Sequence, residues 1–243
     1  MIILYGCGES FGLPQTSAYV TKTEVQLLMA GLPYEKRAAL PDDSPKGQIP
    51  FIDDGGTVVA DSTFIREWLE ARHGIDLDVG LNVAERAQAW AIERMIENQL
   101  GWVAAWGRFM IPENFEKGPA HWFDFLPQED AALCRERMIE AVDGNLHAVG
   151  ISRHAPNEIT WLGARSIAAL STLLGAKRYL MADHPTSVDA IGFAMLAGIL
   201  TPFFDTPLRD LTLGYPNLVA YVDRMMARYY PDHPWQASLS VAA

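Results

Sequence analysis

Gln48-Ile49-Pro50 and, further along, Asp61-Ser62 bracket a stretch whose residue types suit the docking of an extended ligand that carries a carboxylate. Between them, Phe51-Ile52-Asp53 and Thr57-Val58-Val59-Ala60 are two apolar or β-branched runs split by Asp54-Gly55-Gly56, a strong short-range hairpin signal. Pro50 thus stands at the mouth of a strand, where a residue without an N–H is tolerated. With a cis bond before it, the amide and carbonyl of Ile49 turn outward and can pair with a ligand backbone. Asp61-Ser62 opens a helix with Ile65, Trp68 and Leu69 on one face. The free amides and the dipole at such a start favour a carboxylate. Each feature alone is also common structural punctuation, a proline before a strand or a cap before a helix. Their combination at this spacing is what points to binding.

The elements that must position these residues are legible upstream. Ile2-Ile3-Leu4-Tyr5 is a short apolar strand, and Ser17 precedes a pattern with Val25, Leu28, Met29 and Leu32 at helical spacing. Gly31-Leu32-Pro33 stops that helix, and Tyr34 to Ala38 can form a second strand. The order is β-α-β followed by β-β-α, the thioredoxin-like layout. Beyond a Gly/Asp-containing connection at Gly74 to Val83 the chain reads as helix after helix. Ile92, Met95, Ile96 and Val103 mark one helical face; Ile139, Val142, Leu146 and Val149 mark another; Leu218, Tyr221, Val222, Met225 and Tyr229 mark a third. The expected division is an α/β thioredoxin-like domain over residues 1–76 and an all-α helical bundle over 84–243.

At this point the residues resemble the glutathione transferase superfamily. Gly31-Leu32-Pro33-Tyr34-Glu35, Gly47-Gln48-Ile49-Pro50 and Asp61-Ser62-Thr63-Phe64-Ile65 are similar to its N-terminal signatures. In the second half, Gly150-Ile151-Ser152-Arg153-His154, Ala169 to Gly175, Pro185 to Ala190 and Tyr215 to Tyr221 resemble its metaxin-related, failed-axon-connections-like branch. The resemblance implies glutathione as co-substrate: Ile49 as backbone partner of the cysteinyl unit, Pro50 as the cis-proline, Asp61 and Ser62 as the γ-glutamyl site, and Lys46 and Gln48 near the glycyl carboxylate. It also implies an apolar small-molecule electrophile and a homodimer. Arg153-His154 matches the branch and can equally be an ion pair or a helix cap. Thr186 and Asp189 have the spacing of a reciprocal helix cap, a folding element.

A glutathione transferase must favour the thiolate. A thiol ordinarily titrates at about 8.5, and lowering it by about two units asks for about 2.7 kcal/mol of differential stabilisation. A hydroxyl donor and helix-start amides can supply that. Ser17, where relatives carry Cys or Ser, is the first candidate donor; it can also simply cap its helix. Tyr5, at the end of the first strand, is the second, and its ring can equally be core. With Val20 at the other position of the redox motif, dithiol exchange is disfavoured. Cys7 lies in the same mouth as a possible mixed-disulfide thiol, without a neighbouring base in Gly6-Cys7-Gly8. The stretch from Tyr5 to Ser17 is longer than the family's common form, which leaves the activating residue open. Trp102, Trp106, Phe109, Phe115, Trp122, Phe123 and Phe125 surround a loop that can wall an apolar pocket, although such clusters more often pack a core. The alternative function is a non-catalytic ligand-binding or interaction protein on the same fold.

Composition limits the remaining classes. A chain of 243 residues with 49% hydrophobic content can bury a sizeable core. The net charge of −11 is diffuse and argues against nucleic acid. Cys7 and Cys134 lack metal-ligand or redox spacing, so a reducing, cytoplasmic setting without metal is expected. No apolar run suggests a membrane span or a leader.

Overall fold

The β-branched runs near the start of the chain pair into one sheet, and the regular elements described after residue 82 are all helical. The computed structural model describes residues 1–236, so the last seven positions of the expected helical domain, 237–243, lie outside the described residues. Strand β1 (Ile2–Gly6), helix α1 (Ala18–Ala30) and strand β2 (Tyr34–Ala38) are followed by β3 (Phe51–Asp54), β4 (Thr57–Ala60) and α2 (Ser62–His73). The sheet order is β2-β1-β3-β4, with β1 and β2 parallel and the other pairs antiparallel. This is the thioredoxin-like arrangement. Only a short 3-10 turn, Pro41–Asp43, is regular between β2 and β3. The hairpin turns on Gly55 and Gly56, with φ 63° and 95°, and Asp53 Oδ1 accepts from the Gly56 amide at 2.6 Å. Both glycines supply the positive φ that a two-residue turn between twisted strands requires.

Alternation along β1 and β3 places Ile2, Leu4 and Ile52 on the face that packs against Val20, Leu27, Ile65 and Leu69. Helix α1 is buried from Val20 to Leu27, including Lys22, Thr23, Glu24 and Gln26. This corrects the expected single apolar face through Val25, Leu28, Met29 and Leu32, because Leu28 is 36% exposed. The physical reason is that α1 is covered twice, by the sheet and by α8 (Ser187–Leu200). Its polar residues are therefore paired inside the molecule. Lys22 Nζ meets Glu93 at 2.9 Å and Glu97 at 2.7 Å. Glu24 accepts from Gln15, Tyr34 and Tyr230 and pairs with Lys36.

The helical part comprises α3 (Val83–Met95), α4 (Gly101–Phe109), α5 (Pro112–Lys117), α6 (Gln128–Ala148), α7 (Pro156–Leu174), α8, α9 (Pro207–Leu213) and α10 (Pro216–Tyr229). A π turn, Ile96–Leu100, joins α3 to α4. The apolar face expected through Ile92 and Val103 is thus carried across an extra residue, which leaves Ile96 and Leu100 both fully buried. Along α6 the expected core face holds only in part: Leu146 is fully buried, whereas Val149, at the C-cap, is 48% exposed. Helix α8 is buried nearly throughout. Asp189 secures its start by accepting from the amide and hydroxyl of Thr186, the amide of Leu180 and the hydroxyl of Tyr221. The connection from Gly74 to Val83 is pinned as well. Arg66 on α2 donates to Asp78 and Ser187, and Asp78 accepts from the Ser187 amide.

Candidate functional site

The peptide bond Ile49-Pro50 is cis, and the Pro50 carbonyl accepts from the Asp61 amide at 3.2 Å. The two motifs singled out in the sequence are therefore hydrogen-bonded neighbours. Neither the amide nor the carbonyl of Ile49 has a partner among the described residues. Asp61 is the N-cap of α2 at φ 81°, a value that a residue with a side chain rarely adopts. Such a backbone is held by its surroundings and is characteristic of functional positions. Its Oδ1 accepts from the Thr63 amide at 2.9 Å, and Gln48 Nε2 reaches Oδ2 at 3.4 Å. Ser62 is buried, and neither its amide nor its hydroxyl has a partner among the described residues. Unpaired amides and a hydroxyl at a helix start suit a carboxylate, and the Asp61 carboxylate beside them suits an ammonium. That is the donor and acceptor set of an α-amino acid end, so the residues fit a γ-glutamyl group. Lys46 is exposed and lies over the ring of Phe64, in the first turn of α2, at 3.9 Å.

Ser17 takes the N-cap position of α1 with extended backbone, yet its hydroxyl caps no amide. Its carbonyl accepts from the amide and hydroxyl of Thr21. Two residues on, the Tyr19 hydroxyl faces the Glu97 carbonyl at 3.5 Å. Burial, then the charge of Glu97, pushes the Tyr19 phenol up to about 12, and Asp61 adds to the shift. Tyr19 thereby stays protonated. Tyr5 stands on the other face of the sheet from Leu4, its ring stacked on that of Phe51 at 4.3 Å and 7°. The Tyr5 hydroxyl makes no hydrogen bond among the described residues.

The long β1–α1 connection is ordered from both ends. Ser10 and Leu13 bridge, and Thr16 donates its amide and its hydroxyl to the Gly8 carbonyl. Phe11, at φ 58°, is buried against Phe203, Phe204 and Trp122, and Thr201 Oγ1 donates to its carbonyl at 2.6 Å. Nothing in the sequence marked Phe11 as the residue that anchors this loop on the helical part. Arg108 of α4 donates to the Thr16 carbonyl at 2.9 Å, and it too carries no sequence signal. Cys7 is an exposed free thiol. Of the aromatic residues expected around a pocket, Phe115 is buried, Trp102 and Trp106 pack on the helical core, Phe109 meets Trp122 edge-on, and Phe125 is exposed. Most of them are packing. Arg153 donates to the His147 carbonyl, an end cap for α6, and His154 is exposed.

Two family models match the chain, the glutathione S-transferase N-terminal domain over residues 18–114 and the glutathione S-transferase C-terminal domain over 163–225. The isoprene-epoxide glutathione S-transferase of Rhodococcus sp. strain AD45 is 32% identical over 94% of this chain and 99% of its own. Failed axon connections of Drosophila melanogaster is also 32% identical, over 96% of this chain, which spans 59% of that longer protein. Human metaxin-2 is 26% identical over 93% of this chain. Among solved structures, the β-etherase LigF of Sphingobium sp. strain SYK-6 superposes with a TM-score of 0.68 at 20% identity, over 93% of this chain and 95% of that one. A glutathione S-transferase of Methylobacterium radiotolerans in complex with glutathione sulfonate superposes with a TM-score of 0.61 at 18% identity, over 100% and 99%. No helix among the described residues is long and apolar enough to cross a membrane. With a full-length transferase relative, both halves matched in order and the fold in agreement, the chain belongs to the glutathione S-transferase family, in its metaxin-related branch.

Proposed function

We propose that the protein binds reduced glutathione in the mouth between α1 and α2, holds its thiol as thiolate and adds it to a small apolar electrophile. The observation that carries this reading is the joined cluster of Ile49, Pro50, Asp61 and Ser62, with its backbone groups left for a ligand. In it, the Ile49 backbone pairs with the cysteinyl unit, Ser62 and the α2 amides take the γ-glutamyl carboxylate, and Asp61 takes its ammonium. Gln48 steadies Asp61. Ser17, whose hydroxyl caps nothing, donates to the sulfur. The chemistry is thiolate stabilisation and positioning of the electrophile, with no covalent enzyme intermediate. The relative named for isoprene epoxide suggests a small aliphatic epoxide as the first electrophile to try. Saturable calorimetric binding of glutathione together with turnover of such an epoxide supports the reading; binding without turnover of any electrophile tested contradicts the catalytic half.

A second reading keeps the fold without the chemistry. The metaxins and Failed axon connections among the relatives motivate it, and so does Phe11, whose ring fills part of the aromatic space beside the mouth. Absence of any glutathione binding selects it. Pairing of two copies, as the family resemblance implies, belongs to either reading and is tested by light scattering at micromolar concentration; a monomer counts against it.

A further inference from the structure

Among the described residues, Arg108 is a cation without a counter-ion. Its Nη1 donates to the Thr16 carbonyl at 2.9 Å, and its guanidinium lies 5.0 Å from the Phe204 ring centroid and 5.7 Å from that of Phe11. The chain has 30 carboxylate side chains, and among the described residues none forms an ion pair with it. Gly198 on α8 faces Nη2, 3.7 Å from where a Cβ would stand. Although part of its surface remains open, burial pulls the guanidinium down to about 10, and the one titratable group that acts on it is Cys7, at the end of β1. One neutral acceptor and two ring faces do not offset the loss of water around a guanidinium. A positive charge kept in that state would be stabilised by an incoming anion.

The place of Arg108 says which anion. Thr16, which it holds, directly precedes Ser17, and Cys7 and Phe11 belong to the same connection between β1 and α1. The carboxylate-binding cluster lies instead at the start of α2. We propose that Arg108 is a positioning residue for thiol ionisation: its charge lowers the pKa of the glutathione sulfur, and its bond to Thr16 fixes the backbone from which Ser17 projects. This rests on the reading of the mouth as a glutathione site. The charge comes from the helical part, so ionisation depends on how that part is seated against the β1–α1 connection. A charge set among protein atoms is weakly screened, and its effect persists in salt.

The test titrates the ultraviolet thiolate absorbance of bound glutathione in a Cys7→Ser background, so that Cys7 contributes nothing to the signal. Arg108→Met keeps the packing against Phe11 and Phe204 and removes the charge. It is expected to raise the bound thiol's pKa by about one unit or more, about a threefold loss of thiolate at neutral pH and about tenfold well below the pKa, with glutathione affinity within about threefold of wild type. Arg108→Lys is expected to restore part of the shift. A purely structural role predicts a lower melting temperature for Arg108→Met with an unchanged pKa, and that result overturns the proposal. Where Arg108→Met does not fold, Arg108→Gln, which keeps a donor for Thr16, is titrated instead; an unchanged pKa there, or failure of both variants to fold, also overturns it. If the Cys7→Ser parent binds no glutathione, the site reading fails and this inference fails with it. If the parent binds and ionises glutathione while the Arg108 variants titrate alike, Arg108 alone is wrongly assigned.

Discussion

The Ser17 hydroxyl occupies a cap position without capping, whereas the Tyr5 hydroxyl ends a ring that is stacked on Phe51 across the sheet. The first arrangement leaves a donor uncommitted at the start of α1; the second uses its side chain for packing. Tyr5→Phe is therefore expected to leave glutathione affinity and the bound thiol's pKa unchanged, with melting shifted by no more than a degree or two; a rise of about one pKa unit in that variant would transfer the donor's role to Tyr5. The turn at Ile49-Pro50 and the helix start at Asp61-Ser62 were legible because a proline at a strand mouth and an Asp/Ser pair at a helix start are written in residue type and spacing. Tyr19 and Arg108 were not. Their significance comes from what folding brings against them, the Glu97 carbonyl and Asp61 for one, the Thr16 carbonyl for the other.

Helix α1 shows why periodicity alone misplaces a face. A helix covered on one side shows an apolar stripe, but α1 lies between the sheet and α8, and Lys22 and Glu24 that look solvated in the sequence are buried in pairs. Lys22→Met removes the ammonium between Glu93 and Glu97 and leaves Arg94 beside both, with Arg66 4.0 Å from Glu93. The expected cost is about 3 kcal/mol, read as a lower urea midpoint at unchanged slope. A loss below about 1 kcal/mol would mean that Arg94 compensates fully.

The hairpin carries a pH signature of its own. Burial works against the charge of Asp54, but hydrogen bonds from Trp68 and His73 outweigh it and hold the carboxyl below its usual range. For a depressed carboxyl the unfolded chain binds the proton more readily, so its contribution is present above the ordinary carboxylate range and is lost as pH falls through the depressed value. Asp54→Asn is thus expected to lower the melting temperature at neutral pH and to flatten its fall in acid; parallel melting profiles for the two proteins would refute the assignment. The π turn between α3 and α4 was beyond sequence reading because the apolar positions on either side of it still fit a continuous helix.

At the scale of the whole molecule, the proposed mouth draws on both halves. The sheet-bearing half supplies Ile49, Pro50, Asp61, Ser62 and Ser17, and the helical half supplies Arg108, the Glu97 carbonyl and the aromatic seat of Phe11. Arg66, Asp78 and Ser187 fix one side of the junction, and Glu24 with Tyr230 fixes another. The order of elements and the character of each half were readable because local signals set them: turn glycines, caps and apolar runs. How the halves meet was not, since that depends on long-range pairs such as Lys22 with Glu93 and Phe11 with Phe204.

The most direct measurement is calorimetric titration of reduced glutathione into the wild type and Ser17→Ala, with the ultraviolet thiolate absorbance of each complex followed against pH. Saturable binding to both is predicted, with a thiolate that forms below the usual thiol range in the wild type and about one unit or more higher in Ser17→Ala. Absence of binding, or bound glutathione whose thiol titrates alike in both proteins at the value of the free tripeptide, would contradict the account.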